Sequence, residues 1–414
     1  MLSKVIKRGL GQSNYYMDLE KHYGCRNYSP LPVVLERGEG VHVYDVEGKK
    51  YFDFLSAYSA VNQGHCHPKI LKTFIEQAQK VTLTSRAFYN SNLGECEKFL
   101  SDTFGYQKVL LMNSGCEAGE SAIKFARRWA YTVKGVPDNQ AKVIFAKGNF
   151  WGRSIAACGS SDDPSRFYKF GPFGGLGFDL IDFNSVEQLE EKLQNDPNIA
   201  AFFVEHIQGE RGVILPENGY FKKVKELCDK YNVLLIIDEI QTGLGRTGKL
   251  LSHQWDGIRP DMVLLAKALT GGFYPVSAVL TDNEVMEQIN PGEHGSTYGG
   301  NPLGSKVAVT ATKVILEEKL CENSLEMGEI FLKGLKEIQK PFIKEARGRG
   351  LFCALEFHES TKVTATQLCY KLKERGLLAK PTHNTTIRFS PPLVINKQQI
   401  EEALDIINKS VNNL

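Results

Sequence analysis

The sequence predicts an α/β protein in which a large domain with a mostly parallel central sheet is joined to a smaller α+β domain. Two unbroken apolar runs, Val233 to Ile237 and Met262 to Ala266, are typical of strands buried on both faces of a parallel sheet. Similar runs alternate with helical stretches through the middle of the chain, which favours a parallel sheet. Beyond Glu318 the order becomes helix, strands and a final helix, which indicates the smaller domain.

The length and composition agree with this architecture. A chain of 414 residues suits two domains in one compact unit. Hydrophobic residues are 42% and charged residues 24% of the chain, as in an ordinary globular protein. The formal net charge is only +2, so we expect neither nucleic acid nor an anionic membrane as a partner. The nine scattered cysteines include no CxxC pair, which indicates a reducing compartment without a disulfide framework or zinc site.

The N-terminal segment leaves the cellular location open. The first 17 residues contain Lys4, Lys7 and Arg8 and no acidic residue. They resemble a short mitochondrial presequence, but they are brief and not rich in arginine. A cytoplasmic enzyme and an enzyme of the mitochondrial matrix both fit this pattern.

The elements follow from local patterns along the chain. Val41 to Phe54 alternates around Glu47 and Gly48 and predicts a β-hairpin. The segment Asn27 to Pro32 before it is held extended by its prolines. We then expect strands at Lys108–Met112, Lys142–Ala146, Leu180–Phe183 and Ala201–Glu205, helices ending near Tyr131 and spanning Leu303–Glu318, and late strands around Gly350–Leu351 and Arg388–Phe389.

An acid and an amine follow the two most apolar strands. Asp238 ends the first run, and Lys267 follows the second, just before Thr270-Gly271-Gly272. Ligand sites of open α/β sheets lie at this carboxyl edge. A desolvated lysine there has a lowered pKa and can form a Schiff base with an aldehyde. A carboxylate can keep a pyridinium nitrogen protonated, so the pair predicts a pyridoxal phosphate site.

A strand–turn–helix joint predicts the phosphate end of that site. The strand ending at Met112 leads into Ser114-Gly115-Cys116 and then into an amphipathic helix. Free backbone N–H groups at a helix start bind anions. Such joints also occur without ligands, so this signal supports the pair above and is not sufficient alone.

The motifs resemble those of a known enzyme family. IIDEIQTGLGRTGK and LLAKALTGG are similar to the class III aminotransferases, and the resemblance runs from about Tyr23 to the C-terminus. GEHGSTYGGNP and VNQGHCHP are similar to the branch of that family that acts on ornithine. The resemblance implies a fold-type-I pyridoxal phosphate transferase that works as a homodimer. Its implied divisions are an N-terminal segment (1–55) packing with the small domain, a large cofactor-binding domain (56–302) and a C-terminal small domain (303–414).

The resemblance also implies roles for individual residues. Lys267 holds the cofactor and moves the proton, while Asp238 pairs with the ring nitrogen. The other implied cofactor-binding residues are Ser114, Gly115, Cys116, Phe150 and Gln241, with Ser296 and Thr297 supplied by the partner subunit. The implied substrate-binding residues are Tyr28, Tyr58, Arg153, Glu210 and Arg388.

The implied reaction moves the δ-amino group of ornithine to 2-oxoglutarate. Its products are glutamate and glutamate 5-semialdehyde, which cyclises to pyrroline-5-carboxylate. In the family, the residues matching Glu210 and Arg388 act as a switch between the two substrates. Arg211 is a possible competitor of Arg388 for pairing with Glu210. In an extended segment, however, the side chain of Arg211 would point to the face opposite Glu210.

Three other interpretations remain open from the sequence. Another ω-amino acid aminotransferase, of the acetylornithine or 4-aminobutyrate type, is the nearest. Gly243 to Gly248 matches GxGxxG, so a nicotinamide oxidoreductase is a remote alternative, since the motif needs a helix to open at the glycines. A non-catalytic relative is the third, although Asp238 and Lys267 are both present. His65-Cys66-His67 lacks a second ligand pair with metal spacing, so we expect no metal.

Two residues depart from the family pattern. His206 stands where relatives have proline, and Arg211 stands where they have a small residue. Neither removes a catalytic group. They leave the geometry of this loop, and with it the substrate preference, open.

Overall fold

The computed structural model describes residues 11–414, so Lys4, Lys7 and Arg8 lie outside the described part of the chain. Within those residues the strands form three sheets. The strands are β1 (Leu35–Glu39), β2 (His42–Asp45), β3 (Lys50–Asp53), β4 (Lys108–Met112), β5 (Lys142–Ala146), β6 (Phe178–Ile181), β7 (Ile199–Glu205), β8 (Leu234–Asp238), β9 (Met262–Leu265), β10 (Ser277–Thr281), β11 (Ile343–Arg349), β12 (Phe352–Phe357), β13 (Leu377–Leu378), β14 (Lys380–Thr382) and β15 (Thr386–Phe389).

The α-helices lie between these strands. They are α1 (Gln12–Tyr23), α2 (Ser56–Ser59, a single turn), α3 (Pro68–Ala78), α4 (Leu93–Phe104), α5 (Gly115–Trp129), α6 (Ile155–Gly159), α7 (Pro164–Phe167), α8 (Val186–Asn195), α9 (Tyr220–Lys230), α10 (Asn283–Met286), α11 (Pro302–Glu317), α12 (Leu320–Glu337), α13 (Ala365–Glu374) and α14 (Lys397–Val411). Helix α5 continues as a π-helical turn through Lys134, a few residues past the predicted end.

The central sheet is mostly parallel, as predicted. Its seven strands have the order β4-β10-β9-β8-β7-β5-β6. Only β10 runs antiparallel to its neighbours, whereas β9, β8, β7, β5 and β6 are mutually parallel. Strands β7 and β8 are buried along their whole length, which explains why they read as unbroken apolar runs.

Alternate side chains of these strands enter two separate apolar clusters. Phe203 packs with Trp129 and other residues of α5 on one face of the sheet. Phe202 packs with Leu189 of α8 and Phe221 of α9 on the other face. The two-residue period of a strand thus places helices on both faces. The carboxyl ends of the parallel strands β7 and β8, at Glu205 and Asp238, lie at the same edge of the sheet.

Two details of the sheet differ from the sequence prediction. The predicted strand Leu180–Phe183 is observed two residues earlier, because Phe178 pairs with Val143 and its ring packs on Phe145. The strand β10 was not predicted. A short apolar run such as Ser277–Thr281 cannot be told from a buried helical segment by periodicity alone.

The two smaller sheets join distant parts of the chain. The predicted hairpin is confirmed as β2 and β3, and β3 also pairs in parallel with β13 near the C-terminus. The other sheet has the order β11-β12-β15-β14 and carries Arg388 on β15. The pairing of β3 with β13 supports an N-terminal segment that packs with the C-terminal part, and the division at residues 55 and 302 stays a prediction.

The segment Gly243–Gly248 has a structural role in this fold. It forms turns, and no α-helix begins there, so it lacks the arrangement that a nicotinamide site requires. Its buried Arg246 donates hydrogen bonds to the carbonyls of Leu351 and Pro391 and to Oδ1 of Asn62. One guanidinium therefore ties together three remote segments of the chain.

Candidate active site at the carboxyl edge of the central sheet

The register of three strands brings the predicted catalytic pair together. Asp238 ends β8, opposite Leu264 of β9, and Lys267 follows β9 after one intervening residue. Asp238 also lies opposite Glu205, the last residue of β7. Because neighbouring parallel strands end at the same edge, an amine and two carboxylates face one space.

Lys267 turns into this space through an unusual backbone conformation. Its φ of 47° lies in the left-handed region, which is strained for a residue with a side chain. Burial lowers the pKa of the Lys267 amine, although Asp238 and Glu210 oppose that shift. A lowered pKa increases the uncharged fraction, which is the form of the amine that attacks a carbonyl or accepts a proton.

Asp238 is buried at the base of the same space. Burial raises the pKa of Asp238 to about 7, against a hydrogen bond that the Ile240 N–H donates to its Oδ1 at 2.8 Å and the charge of Lys267. The protein alone supplies too little positive charge and hydrogen bonding to stabilise an ionised carboxylate in this position. A protonated pyridine nitrogen would supply the missing positive charge, so the residue fits the predicted cofactor.

The space is a cavity of about 490 Å³. That volume lies within the usual range of small-molecule and cofactor sites. Its lining joins the predicted catalytic pair to the predicted phosphate turn and to aromatic residues. The lining includes Asn113, Ser114, Gly115, Cys116, Phe150, Glu205, Asp238, Gln241, Lys267, Phe273 and Tyr274.

The phosphate end of the cavity is the first turn of α5. Ser114 caps this helix, since its Oγ accepts from the Glu117 N–H at 3.2 Å, and Glu117 Oε2 accepts from the Ser114 N–H at 2.7 Å. The next two N–H groups, of Gly115 and Cys116, have no acceptor among residues 11–414. Two unpaired N–H groups at a helix start fit a phosphate.

The two residues predicted to come from a partner subunit lie in a loop near this turn. Ser296 Oγ accepts a hydrogen bond from Asn113 Nδ2 of the same chain at 2.7 Å. Thr297 beside it is exposed in the single chain. The placement of Ser296 next to its own phosphate turn is a contact that sequence reasoning did not predict.

Phe150 lines the cavity and is held by a residue that sequence reasoning missed. The Phe150 N–H donates to Glu205 Oε1 at 2.9 Å, and the Gly209 N–H donates to Glu205 Oε2 at 3.2 Å. Burial, together with nearby Asp238, raises the pKa of Glu205 to about 8. Glu205 shows the same sequence signal as Asp238, an acidic residue that ends a buried apolar strand.

An ion pair lies beside the cavity, next to its lining residue Gln241. Arg388 Nη2 lies 2.8 Å from Glu210 Oε1, and Arg388 Nη1 donates to Gln241 Oε1 at 3.1 Å. Burial alone would raise the pKa of Glu210, but Arg388, together with Arg166 and Lys267, outweighs burial, and the net shift is downward. Gly209 next to Glu210 permits this approach, since a Cβ there would lie 2.5 Å from Gln241 Oε1.

The remaining predicted substrate residues lie around this ion pair. The Arg388 guanidinium is 5.4 Å from the centre of the Tyr58 ring. Burial, Glu210 and Tyr28 raise the pKa of Tyr58, whereas Arg388 and Arg153 lower it. All five predicted substrate residues are therefore electrostatic neighbours, although Tyr28 is 63% exposed in the single chain.

Tyr58 is presented by a strained turn. The four residues of α2, Ser56 to Ser59, all have φ between 47° and 70°. A left-handed turn of residues with side chains costs roughly 1–2 kcal/mol per residue. Asp53 supports the turn, since its Oδ1 accepts from the N–H groups of Leu55 and Ser56 at 2.9 and 2.8 Å. Strain of this kind is concentrated at functional sites.

A second arginine, not predicted from the sequence, lies beside Phe150. The Arg153 guanidinium is 5.8 Å from the centre of the Phe150 ring, and the Arg166 guanidinium is 4.7 Å from it. Arg166 lies on α7, and its side chain is only 10% exposed. No local pattern marks it, because its relation to Phe150 depends on how the loop after α6 folds back.

The two departures from the family pattern have separate environments. His206 is fully buried, with Nδ1 2.6 Å from Ser252 Oγ and Nε2 2.7 Å from Asp256 Oδ2. Arg211 is exposed and packs against Gly148, and Glu210 pairs with Arg388 as predicted. The histidine thus anchors the segment that joins Glu205, at the end of β7, to Glu210, while Arg211 leaves the contact of Glu210 with Arg388 intact.

Candidate metal ligands at residues 65–67 are engaged elsewhere. His65 Nε2 lies 2.7 Å from Asp53 Oδ2, and His67 Nε2 lies 3.2 Å from Glu318 Oε2. The described residues contain no cluster of three or more possible metal ligands. In the same part of the chain, no helix has the length and apolar character needed to cross a membrane.

Comparison with known proteins agrees with the geometry of the site. Residues 23–411 match the family described as aminotransferase class-III. A probable mitochondrial ornithine aminotransferase of Caenorhabditis elegans is 60% identical over 401 residues, covering 97% of this chain and 94% of that protein.

Solved structures show the same fold. The ornithine aminotransferase of Toxoplasma gondii superposes with a TM-score of 0.96 at 46% identity, covering 99% of this chain and 97% of that one. An acetylornithine aminotransferase of Elizabethkingia anophelis has a TM-score of 0.89 at 48% identity, covering 98% and 100%. The match spans the lysine, the acid, the phosphate turn and the ion pair, and the chain belongs to the class III aminotransferases, pyridoxal-phosphate-dependent enzymes of fold type I.

Proposed function

We propose that this enzyme transfers the δ-amino group of ornithine to 2-oxoglutarate, releasing glutamate and glutamate 5-semialdehyde, which cyclises to pyrroline-5-carboxylate. The observation that carries the proposal is the ion pair of Arg388 with Glu210 at 2.8 Å, beside the cavity-lining residue Gln241. The names of the relatives described above support the same substrate.

The ion pair suits two substrates that differ at the reacting carbon. The δ-carbon of ornithine carries no carboxylate, whereas the reacting carbon of 2-oxoglutarate does. With Glu210 in place, the Arg388 guanidinium is neutralised and does not attract the α-carboxylate end of ornithine. When Glu210 moves away, Arg388 can bind the carboxylate of 2-oxoglutarate with its planar fork. Tyr28, Tyr58 and Arg153 would hold the distant end of either substrate.

Four groups of the protein have separate roles at the cofactor site: Lys267, Asp238, Gln241 and the N–H groups of the phosphate turn. Pyridoxal phosphate, when bound, supplies an electron sink that stabilises negative charge at the substrate carbon. The Lys267 amine removes the proton from that carbon and returns it. Asp238 would keep the ring nitrogen protonated. Gln241 would donate to the ring hydroxyl through its amide nitrogen, since its amide oxygen accepts from Arg388. The N–H groups of Gly115 and Cys116 would bind the phosphate.

The cofactor assignment is tested by reduction with borohydride. The treated protein is digested, and its peptides are mapped by mass spectrometry. We expect a pyridoxyl group on Lys267. The same group on another lysine would overturn the assignment of Lys267.

The substrate assignment is tested by comparing donors and half-reactions. Ornithine, acetylornithine and 4-aminobutyrate are offered with 2-oxoglutarate, and we expect ornithine to give the highest kcat/KM. Single-turnover absorbance then follows each half-reaction of Glu210→Ala. We expect a slower ornithine half-reaction, an intact 2-oxoglutarate half-reaction and a gain of activity with α-amino donors. Preference for acetylornithine, the substrate named for one solved neighbour, would support that second candidate.

We further infer that the active unit is a homodimer in which Thr297 reaches the neighbouring phosphate site. The exposure of Thr297 in the single chain, next to the phosphate turn, supports this. Mixing inactive Lys267→Ala chains with inactive Thr297→Trp chains should restore activity in hybrid dimers. A fully active monomer in sedimentation would contradict the inference.

The mitochondrial names of relatives support the mitochondrial matrix as the location of this enzyme. A cytoplasmic enzyme is the alternative, and cell fractionation would detect it.

A further inference from the structure

Two arginines lie close enough to Glu210 to lower its pKa, and only one of them is explained by the proposed switch. Arg388 holds Glu210 directly. Arg166 also acts on Glu210, since after Arg388 it is the next charge that lowers the pKa of this carboxylate against the effect of burial. The nearest structural link is Glu205, which binds the N–H groups of both Phe150 and Gly209. The backbone beside Glu210 is thus fixed to the residue whose ring Arg166 covers.

The hydrogen bonds of Arg166 hold its guanidinium in position and leave donors for another partner. Its Nη1 donates to the Asn149 carbonyl at 2.7 Å, and its Nε lies 3.3 Å from Asp163 Oδ2. Among residues 11–414, its Nη2 has no hydrogen-bond partner. A guanidinium carries five N–H donors, so a further carboxylate can bind without displacing these contacts.

A moving buried carboxylate needs a destination. If Glu210 left Arg388 without gaining another partner, an uncompensated charge would remain in a largely enclosed site, and such charges are strongly unfavourable. Arg388 would at the same time engage the substrate, so it could not share its charge. A second arginine near Glu210, linked to it through Phe150 and Glu205, removes this obstacle.

We propose that Arg166 is a specificity-determining residue that receives the Glu210 carboxylate while Arg388 binds the carboxylate of 2-oxoglutarate. The proposal rests on the switch described under the proposed function and assigns its second position. Arg166 acts through Glu210 and is therefore a positioning residue. By pairing with Glu210, Arg166 stabilises the state of the site that accepts a keto acid. In the state that accepts ornithine, Glu210 pairs with Arg388 instead.

The test is a double-mutant cycle on the two half-reactions of the cofactor-loaded enzyme. Arg166→Gln should slow the 2-oxoglutarate half-reaction, mainly through KM, by about tenfold, in line with the usual coupling between charged sites. The ornithine half-reaction should change by less than about twofold. In a Glu210→Ala background, Arg166→Gln should have no additional effect, because the carboxylate that it receives is absent.

Two further variants separate this role from scaffolding. Arg166→Lys keeps the charge and should recover part of the 2-oxoglutarate rate. Asp163→Asn keeps a helix-capping side chain but releases Arg166 from its own carboxylate, so it should lower KM for 2-oxoglutarate. Lys169→Gln, in the same loop with an exposed side chain, removes an equal charge and should leave both half-reactions unchanged.

Three outcomes overturn the proposal. An effect of Arg166→Gln that adds fully to that of Glu210→Ala would mean that Arg166 binds the substrate itself. Equal loss in both half-reactions, or no response to Asp163→Asn, would make Arg166 a structural residue, and the switch would still stand. If Glu210→Ala alone leaves donor preference unchanged, the switch itself fails, and the failure is traced to the proposed function.

Discussion

The cofactor end and the substrate end of the candidate active site are built in different ways. At the cofactor end, Glu205, Asp238 and Lys267 lie on or just after neighbouring parallel strands, and the sheet register sets their spacing. At the substrate end, Arg388 comes from a separate sheet and Tyr58 from a strained turn. The first end depends on hydrogen bonds that repeat along a sheet, whereas the second depends on single contacts between remote segments.

This difference matches the different tasks of the two ends. The cofactor end performs the same proton transfers in both half-reactions and gains from a fixed geometry. In the proposed reaction the substrate end accepts an amine-bearing carbon and then a carboxylate-bearing carbon, which requires a charge that changes partner. A carboxylate held by one hydrogen-bonded arginine can move more easily than a side chain at the end of a buried strand. The following predictions test this contrast.

The largest expected effect is at the cofactor end. Lys267→Ala should lower both half-reactions by at least about 10⁴-fold, because the amine moves the proton in each of them. The control is Lys134→Ala. Burial lowers the pKa of Lys134 to about 8, yet its amine donates to the carbonyls of Ile199 and Tyr231 and lies outside the cavity. Rapid-scanning absorbance measures both variants, and a selective loss in one half-reaction would contradict the contrast.

The next effect concerns the anchor between the two ends. His206→Ala should lower the free energy of unfolding by about 3 kcal/mol, since buried Ser252 and half-buried Asp256 lose their partner and Phe221 loses its stacked ring. His206→Phe keeps the ring and should cost about 1 kcal/mol less. Exposed Arg211→Ala should change stability by less than about 0.5 kcal/mol. Urea denaturation provides the comparison, and three equal values would show that His206 is not an anchor.

A smaller effect is the pH dependence of the cofactor-free protein. The pKa of Asp238 is raised to about 7, so the folded state binds more protons than the unfolded state between about pH 4 and 7, and stability falls as pH rises through that window. Asp238→Asn removes this penalty. The melting temperature of Asp238→Asn minus that of the unchanged protein should therefore increase between about pH 5 and pH 8.

The cofactor gives an internal control for this pH effect. Pyridoxal phosphate should abolish the difference in slope, because its ring nitrogen pairs with the carboxylate. Melting curves of the stripped and loaded protein across this range provide the measurement. A parallel pH profile for Asp238→Asn and the unchanged protein would show that Asp238 is not the titrating group.

The smallest effect tests the strain at the substrate end. Ala57 is exposed and has a φ of 48°, so Ala57→Gly should raise the free energy of unfolding by about 0.5 kcal/mol, the relief of strain exceeding the added chain entropy. Ala60 has a φ of −91°, so Ala60→Gly relieves no strain and should instead lower the free energy of unfolding by about 0.5–1 kcal/mol. Thermal melting gives both values, and the same sign for both would refute strain at Ala57.

The residues that the sequence could predict share one property, which is that their signal is local. The apolar runs before Asp238 and Lys267 indicate strands, and parallel strands place the residues at their ends along one edge, so the pair follows without any knowledge of distant contacts. The turn Ser114-Gly115-Cys116 between a strand and a helix is a local signal of the same kind. For Arg388 and Glu210 the resemblance supplied the pairing, since the sequence places them 178 residues apart.

The features that only the tertiary structure decided depend on contacts between remote segments. Arg166 reaches Phe150 because the loop after α6 folds back, and Ser296 reaches Asn113 across 183 residues. The left-handed turn at Ser56–Ser59 opposes the local preference of its residues and exists because Asp53 and the surrounding packing hold it. Local sequence fixed the strands and the residues at their ends, because strand formation depends on near neighbours. Long-range packing fixed the substrate end, because single contacts between distant segments leave no periodic pattern in the chain.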